Sequence, residues 1–440
     1  MLISTKRRNA TIDEALLDAE QRYTGANPKS LARHQEATRH LPGGNTRSNM
    51  YFSPFPVAIA RGEGARLHDV DGHVYADFLG EYTAGIYGHT HPRIRAAIVD
   101  ALDGGVNLGA PNRWEAELGR LMCERFPSLD KVRFTNSGTE AGLYAITAAR
   151  VCTGRTHILV FDGAYHGGVL SFSSAPPMRA PFPFVIAQYN DAEGAAGLIE
   201  CHRDELAAVL IEPMIGSGGG ISADRSFLAM LREETRRHGI ILIFDEVMTS
   251  RLAPGGLQEK LGILPDMTTF GKYLGGGMSF GAFGGADRIM RRFDPTTPDS
   301  LVHSGTYNNN ALTMAAGVAG LRDIYTREAC VELNARGDRL RERTNAAFRR
   351  HRVHMQMLGQ GSLNVLHMHG RPVRRPSDMA NDPRRQALFH LEMLQRGFYL
   401  SRRGLTSLCL PLADNDVDGF IEAVDDFCSI YQPLLQDVAA

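Results

Sequence analysis

Cysteine is sparse and never paired: Cys123, Cys152, Cys201, Cys330, Cys409 and Cys428 lie scattered with no Cys-x-x-Cys among them. That usage argues against a zinc site and against a disulfide framework, and reduced thiols in a cytoplasmic setting fit it best. Charge of one sign is lacking as well. With 48 Lys and Arg against 49 Asp and Glu, the formal net charge is −1, and the arginines are spread along the chain. No field is available to draw in nucleic acid or an anionic membrane, so neither is expected as a partner. No apolar run is long enough to span a bilayer, and Met1-Leu2-Ile3-Ser4-Thr5-Lys6-Arg7-Arg8 leads into a charged helical pattern, so no targeting segment is expected. Internal repeats and low-complexity tracts are missing. A Gly-x-Gly-x-x-Gly after an early strand is missing too, which disfavours a Rossmann dehydrogenase.

What the chain does have is length. Its 440 residues, 43% of them hydrophobic, suffice for two domains, because single cores stop growing at about 250–300 residues. An N-terminal arm is followed by expected helices over Ile12 to Tyr23 and Ser30 to His40, the second ending at Pro42-Gly43-Gly44. The runs Ala58-Ile59-Ala60, Ala65-Arg66-Leu67 and Val74 to Phe78, punctuated by Gly62, Gly64 and Asp71-Gly72, predict a small antiparallel meander. From Pro92 onward helices alternate with the apolar runs Ile158–Phe161, Phe184–Ala187, Ala208–Ile211 and Ile241–Phe244. Such runs predict an α/β domain with a mostly parallel sheet covered on both faces. A long helix around Ala329 to Arg350, strands near Leu363–His367 and Ser407–Leu410, and a polar loop over Arg371 to Arg385 predict a smaller α+β lobe. The division expected is an N-terminal segment over 1–78 that packs with the small domain, a large domain over 79–335 and a small domain over 336–440.

Three local patterns carry chemistry. Lys272 stands between the apolar Met267-Thr268-Thr269-Phe270 and the glycine cluster Gly275-Gly276-Gly277. A desolvated ammonium loses its proton more readily, and the neutral amine condenses with an aldehyde to a Schiff base; a solvated loop lysine is the alternative. Asp245 closes the run Ile241-Leu242-Ile243-Phe244, where open α/β sheets bind ligands and where a carboxylate can hold a protonated pyridine nitrogen. A strand-end cap is its plainer role. Ser137, Gly138 and Thr139 sit where the run Val132-Arg133-Phe134-Thr135 turns into an Ala-rich helix, offering N–H groups and hydroxyls to a phosphate, or simply capping that helix. In chain order, phosphate cradle, strand-end acid and lysine together specify pyridoxal 5′-phosphate better than any one alone.

With these motifs the chain resembles the class III, fold type I aminotransferases and the glutamate-1-semialdehyde aminomutases. The resemblance runs from about Asn27 to Pro411 and rests on Phe244-Asp245-Glu246-Val247-Met248-Thr249, Pro265 to Lys272, Gly275-Gly276-Gly277-Met278 and Gly281 to Gly285. Asn136 to Ala141, Tyr165-His166-Gly167 and Gly305-Thr306-Tyr307-Asn308 fit the same pattern. Within the class, Thr249 to Pro254, Glu81-Tyr82-Thr83-Ala84-Gly85 and Phe52-Ser53-Pro54-Phe55-Pro56 resemble the enzymes acting on aromatic β-amino acids.

The resemblance implies a fold type I PLP-dependent transferase whose large domain holds a seven-stranded sheet. It implies that Lys272 anchors the cofactor and then moves the proton, while Asp245 keeps the ring nitrogen protonated. Tyr165 would stack on the ring with Val247 on its other face. His166 is either a catalytic group or a buried histidine satisfied by its neighbours. Glu212, after Val209-Leu210-Ile211, either reaches the cofactor edge or orders its loop. Thr306 would reach the phosphate bound in the other subunit of a homodimer with shared active sites. Arg47 would receive the carboxylate of the β-amino acid and Arg403 one carboxylate of 2-oxoglutarate, with neighbouring Arg402 competing for the second role. No metal is implied. The function expected is transfer of an amino group from an aromatic β-amino acid to 2-oxoglutarate; the alternatives are a glutamate-1-semialdehyde aminomutase and a PLP-binding regulatory protein without turnover.

Overall fold

Strands too apolar to alternate form the centre of the molecule. The computed structural model describes residues 11–173, 178–380 and 382–436; the expected N-terminal arm lies outside them as far as residue 10. The main sheet has seven strands in the order Lys131–Thr135, Gly281–Gly285, Met267–Gly271, Ile241–Asp245, Leu206–Ile211, His157–Phe161 and Phe184–Ala187. Every strand but Gly281–Gly285 runs parallel, and that one is antiparallel to both neighbours. Leu206–Ile211 and Ile241–Asp245 are buried along their whole length, which is why their sequences read as unbroken apolar runs. Helix Gly138–Thr153 packs on the sheet, and so does Arg225–Arg237, whose Phe227, Leu228 and Leu231 are buried. Each such side chain contributes roughly 1.5–3 kcal/mol on leaving water.

Gly281–Gly285 entered the sequence reading as a motif and not as a strand, because glycine is a poor strand former. Crowding explains it. A Cβ on Gly281 would stand 2.0 Å from the Ser137 carbonyl oxygen, and one on Gly285 would stand 2.2 Å from that of Asp266. Only glycine lets the backbones approach so closely.

The two chain ends build the remaining layers. Ile59–Glu63, Arg66–Asp69 and Val74–Asp77 form the expected meander, and Phe398–Tyr399 adds to it parallel to Val74–Asp77. Helix Ile12–Ala26, opened by a capping box between Thr11 and Glu14, packs on helix Pro383–Gln395. The strands Gln356–Gln360, Leu363–His367 and Leu405–Ser407 form a second small sheet, and helix Arg327–His351 packs on Asp414–Leu435. Two expectations are corrected. The strand placed at Ser407–Leu410 is instead Leu405–Ser407, because the Leu410 N–H turns away to donate to the Ile86 carbonyl. The loop expected through Arg385 ends early, since Asp382 caps the helix that begins at Pro383 by accepting from the Arg384 and Arg385 N–H groups. No helix among the described residues is long and apolar enough to cross a membrane.

Arg251 joins the layers. It is 1% exposed, and its guanidinium donates to Ser407 Oγ at 2.8 Å, Ser362 Oγ at 3.1 Å, the Thr83 carbonyl at 3.3 Å and the Leu408 carbonyl. All of these acceptors are neutral, and burial lowers its pKa. The turn following Asp245 is thereby tied both to the C-terminal sheet and to the segment around Thr83.

Candidate active site

Parallel strands deliver the reactive groups to one edge. Pairing of Phe244 with Ile211 and of Asp245 with Thr269 sets the carboxyl ends of three adjacent strands side by side, so Glu212, Asp245 and Lys272 leave the sheet into one crevice. Lys272 adopts φ +60°, a left-handed conformation that costs a non-glycine residue roughly 1–2 kcal/mol and turns its side chain back over the sheet edge. Its Nζ donates to the Tyr82 carbonyl at 2.8 Å. Burial pushes the Lys272 pKa down to about 8, against the opposing pull of the Glu81 and Asp245 carboxylates. Lys272 therefore lies within reach of the neutral form near physiological pH.

Asp245 is 5% exposed and held on both oxygens. Oδ1 accepts the Val247 N–H at 3.0 Å, and Oδ2 lies 2.7 Å from His166 Nδ1. His166, expected as either satisfied or catalytic, is satisfied on one side only: its buried Nε2 has no hydrogen-bond partner among the described residues. Its one contact ties it to Asp245. Glu212 takes the loop-ordering role, with Oε2 accepting the Tyr165 N–H at 3.0 Å and Oε1 that of Gly216 at 3.2 Å. Burial raises its pKa to about 7. Tyr165 itself is 46% exposed at the mouth of the crevice.

Ser137 is the N-cap of the 16-residue helix Gly138–Thr153, its hydroxyl accepting the Glu140 N–H at 3.2 Å. A Cβ on Gly138 would meet Val247 Cγ2 at 2.9 Å, so Val247 packs against the start of the cradle. Thr139 lies against Gly167, whose φ is +127°. Asn136 bonds Asn308 at 3.0 Å, which brings the loop carrying Thr306 beside the same helix start; Thr306 itself is exposed. A desolvated amine, a braced carboxylate and a helix N-terminus on one crevice are the donor set that a phosphorylated pyridine aldehyde requires, and the residues present fit it. Among the described residues, no group of three or more His, Cys, Asp and Glu side chains could hold a metal ion.

Beyond the amine lies a feature hidden from the sequence. Gly80, Glu81, Tyr82 and Thr83 have φ of 52°, 49°, 51° and 83°, a left-handed turn in which three of four residues are not glycine. Asp77 Oδ1 accepts the Leu79 and Gly80 N–H groups, Gly85 N–H donates to the Gly80 carbonyl at 2.8 Å, and Arg251 holds Thr83. From this turn the Tyr82 carbonyl reaches Lys272, and the Tyr82 hydroxyl donates to the Asn49 carbonyl at 2.7 Å. Arg47 lies over the Tyr82 ring with its guanidinium carbon 5.7 Å from the centroid, and its Nη1 is 2.6 Å from Glu81 Oε1. Glu81 and Tyr82 were legible as a motif, yet nothing in their residue types announced the turn.

The structure also separates the paired arginines. Arg403 is exposed and, with Arg47, acts on the Tyr82 phenol, whose pKa burial nevertheless raises. Arg402 faces His390, whose pKa drops to about 3 through burial and then through this cation. Of the two, Arg403 is thus the one that acts on Tyr82, and Arg402 the one that acts on the buried His390.

With that geometry established, the chain can be set beside known proteins. The family model for aminotransferase class-III matches residues 48–410. A β-phenylalanine transaminase of Variovorax paradoxus is 51% identical over 429 residues, 97% of this chain and 99% of that protein. The crystal structure of the β-phenylalanine aminotransferase from that organism superposes with a TM-score of 0.95, again over 97% and 99% of the two chains. An ω-transaminase from Sphaerobacter thermophilus, 39% identical, superposes at 0.86 over 92% of this chain and 98% of its own. A glutamate-1-semialdehyde 2,1-aminomutase of Brevibacillus brevis is 36% identical over 90% of this chain and 97% of that protein.

Proposed function

Because the chain belongs to the class III aminotransferases, we propose that it moves the amino group of an aromatic β-amino acid, of the β-phenylalanine type, to 2-oxoglutarate, giving a β-keto acid and glutamate. It is a fold type I enzyme dependent on pyridoxal 5′-phosphate. When bound, that cofactor supplies an aldehyde that carries amino groups and a ring that withdraws electrons from the carbon losing its proton.

The chain's own residues do the rest. Lys272 Nζ would anchor the cofactor and, once released as a neutral amine by the donor's incoming amino group, would take the proton from the amino-bearing carbon of the donor. Asp245, braced by His166 and Val247, presents a fixed negative charge to the ring nitrogen. Ser137, Gly138 and Thr139 would hold the phosphate at the helix N-terminus, with Tyr165 and Val247 as the side chains that would pack against the ring. Glu212 keeps the Tyr165 loop in place. The exposure of Val302 at 86%, Tyr307 at 59% and Thr306 between them supports a homodimer in which Thr306 completes the phosphate site of the other subunit. Six free cysteines support a cytoplasmic setting.

The observation that carries the substrate assignment is the placement of Arg47 and Arg403 around Tyr82. Two guanidiniums suit a pair of substrates that differ by one carboxylate, and the β-phenylalanine enzyme's 51% identity supports an aromatic β-amino acid as the donor. The test is glutamate formation by the holoenzyme from β-phenylalanine and 2-oxoglutarate. Isomerisation of glutamate-1-semialdehyde with no acceptor present would replace this reading by the aminomutase. A visible spectrum that no amino donor alters would replace it by a regulatory protein.

A further inference from the structure

Arg47 carries its own ligands. Glu81 Oε1 stands 2.6 Å from Nη1, while Nε and Nη2 both point at one atom, Met50 Sδ, at 3.1 and 2.9 Å. The two edges are not equivalent. Nε and Nη2 form the side-on fork that binds a carboxylate through two parallel hydrogen bonds, and here the fork holds a thioether, a neutral and weak acceptor. Nη1, the edge less suited to a bidentate partner, already has an anion. Arg403, by contrast, has no ion pair among the described residues, although it lies near the same Tyr82.

We propose that Met50 is a displaceable place-holder on the fork of Arg47 and that Glu81 is its permanent counter-ion, so that this arginine accepts singly charged carboxylates and leaves the extra charge of a dicarboxylate to Arg403. The proposal rests on Arg47 as the donor-carboxylate site. An incoming carboxylate gains two charge-assisted bonds and gives up only the weaker contacts to the sulfur, a loss that Met50→Leu would remove. Glu81 holds Nη1, which fixes the plane of the guanidinium over Tyr82 and halves its capacity for negative charge. A second carboxylate on the fork gives the cluster a net charge of −1, and the further charge of a dianion would be repelled by Glu81. Met50 and Glu81 would thus be specificity-determining and positioning residues.

The experiment measures binding of two ligands without amino groups to the holoenzyme, 3-phenylpropanoate as the monoanion and glutarate as the dianion, by calorimetry. Met50→Leu keeps the bulk but removes the acceptor, and should tighten 3-phenylpropanoate roughly three- to tenfold. Glu81→Gln keeps a hydrogen-bond acceptor but removes the charge, and should improve glutarate relative to 3-phenylpropanoate by several-fold; the half-exposed setting keeps this change modest. A Met50→Leu enzyme that binds 3-phenylpropanoate no better, or a Glu81→Gln enzyme with an unchanged ratio of the two affinities, overturns the proposal. Arg47→Ala distinguishes the causes of failure. If it abolishes 3-phenylpropanoate binding while the other two variants are silent, only the roles of Met50 and Glu81 fall; if it changes nothing, Arg47 is not the carboxylate site and the donor assignment falls with it.

Discussion

The two ends of the crevice are built on opposite principles. The amine end hangs from consecutive strand termini: Asp245 and Glu212 are buried to about the level of the core, and each carboxylate oxygen has a named partner. The end proposed to bind carboxylates is assembled from a loop bearing Arg47, the left-handed turn and the Arg403 loop, with Arg47 and Glu81 side chains 42% and 54% exposed. Charges in the first act through a poorly polarisable medium and shift pKa values; charges in the second are screened by solvent and salt. The contrast suits the tasks. Under the function proposed above, one end would perform the same proton transfer for every substrate, and the other would exchange one carboxylate for another during each cycle.

The sharpest way to break the comparison is Lys272→Ala, which removes both anchor and proton carrier. Turnover should fall by more than about 10⁴-fold, followed as glutamate release, and a retained rate would remove the amine end from the mechanism. Asp245→Asn leaves the His166 contact available but cancels the fixed charge. A loss of about 10²–10³-fold in single-turnover rate is expected, with fold and cofactor content retained by spectrum; a near-native rate would make Asp245 purely structural.

At the other end the effects should be smaller and divided between substrates. Arg403→Ala should weaken the 2-oxoglutarate half-reaction by about 1.5–3 kcal/mol of charged hydrogen bonding while sparing the donor half, whereas Arg47→Ala should damage both. Arg402→Ala provides the control, since that side chain faces His390; if it alone abolished 2-oxoglutarate binding, the role would move back one residue.

The mildest effect concerns stability. Glu212 titrates at about 7 in the fold, above the ordinary carboxyl value of 4.5. The native chain therefore holds a proton that the unfolded chain loses between those values. Its contribution to stability is complete below about pH 4.5 and fades as pH rises through about 7. Glu212→Gln should flatten that part of the urea-unfolding profile against pH, and an unaltered slope would show that Glu212 is ionised throughout.

How much could be read in advance follows the same division. Asp245 and Lys272 were legible because a buried parallel strand writes an apolar run and its terminus is where the run stops. Ser137 was legible because a cap precedes an Ala-rich helix. The brace from His166 to Asp245, two residues 79 positions apart, depends on strand order, which periodicity does not encode. Gly281–Gly285 escaped recognition as a strand because its residues serve the crowding of neighbouring backbones. The turn over Gly80 to Thr83 escaped for the converse reason: three residues without local preference for positive φ are held there by Asp77, Gly85 and Arg251. Consistent local signals make a segment readable, and tertiary override makes it opaque.

That turn also divides what can change from what cannot. Lys272 is met by the Tyr82 carbonyl, an atom every residue possesses, whereas Arg47 is met by the Glu81 carboxylate and the Tyr82 ring, which a substitution would remove. A library that varies positions 81 and 82 would therefore redraw the substrate list while leaving the contact at the amine intact. Asn, Asp and Gly are the variants best suited to the turn, because they enter left-handed backbone most readily. On the proposed roles, selectivity and reactivity would be separable by mutation within a single peptide unit.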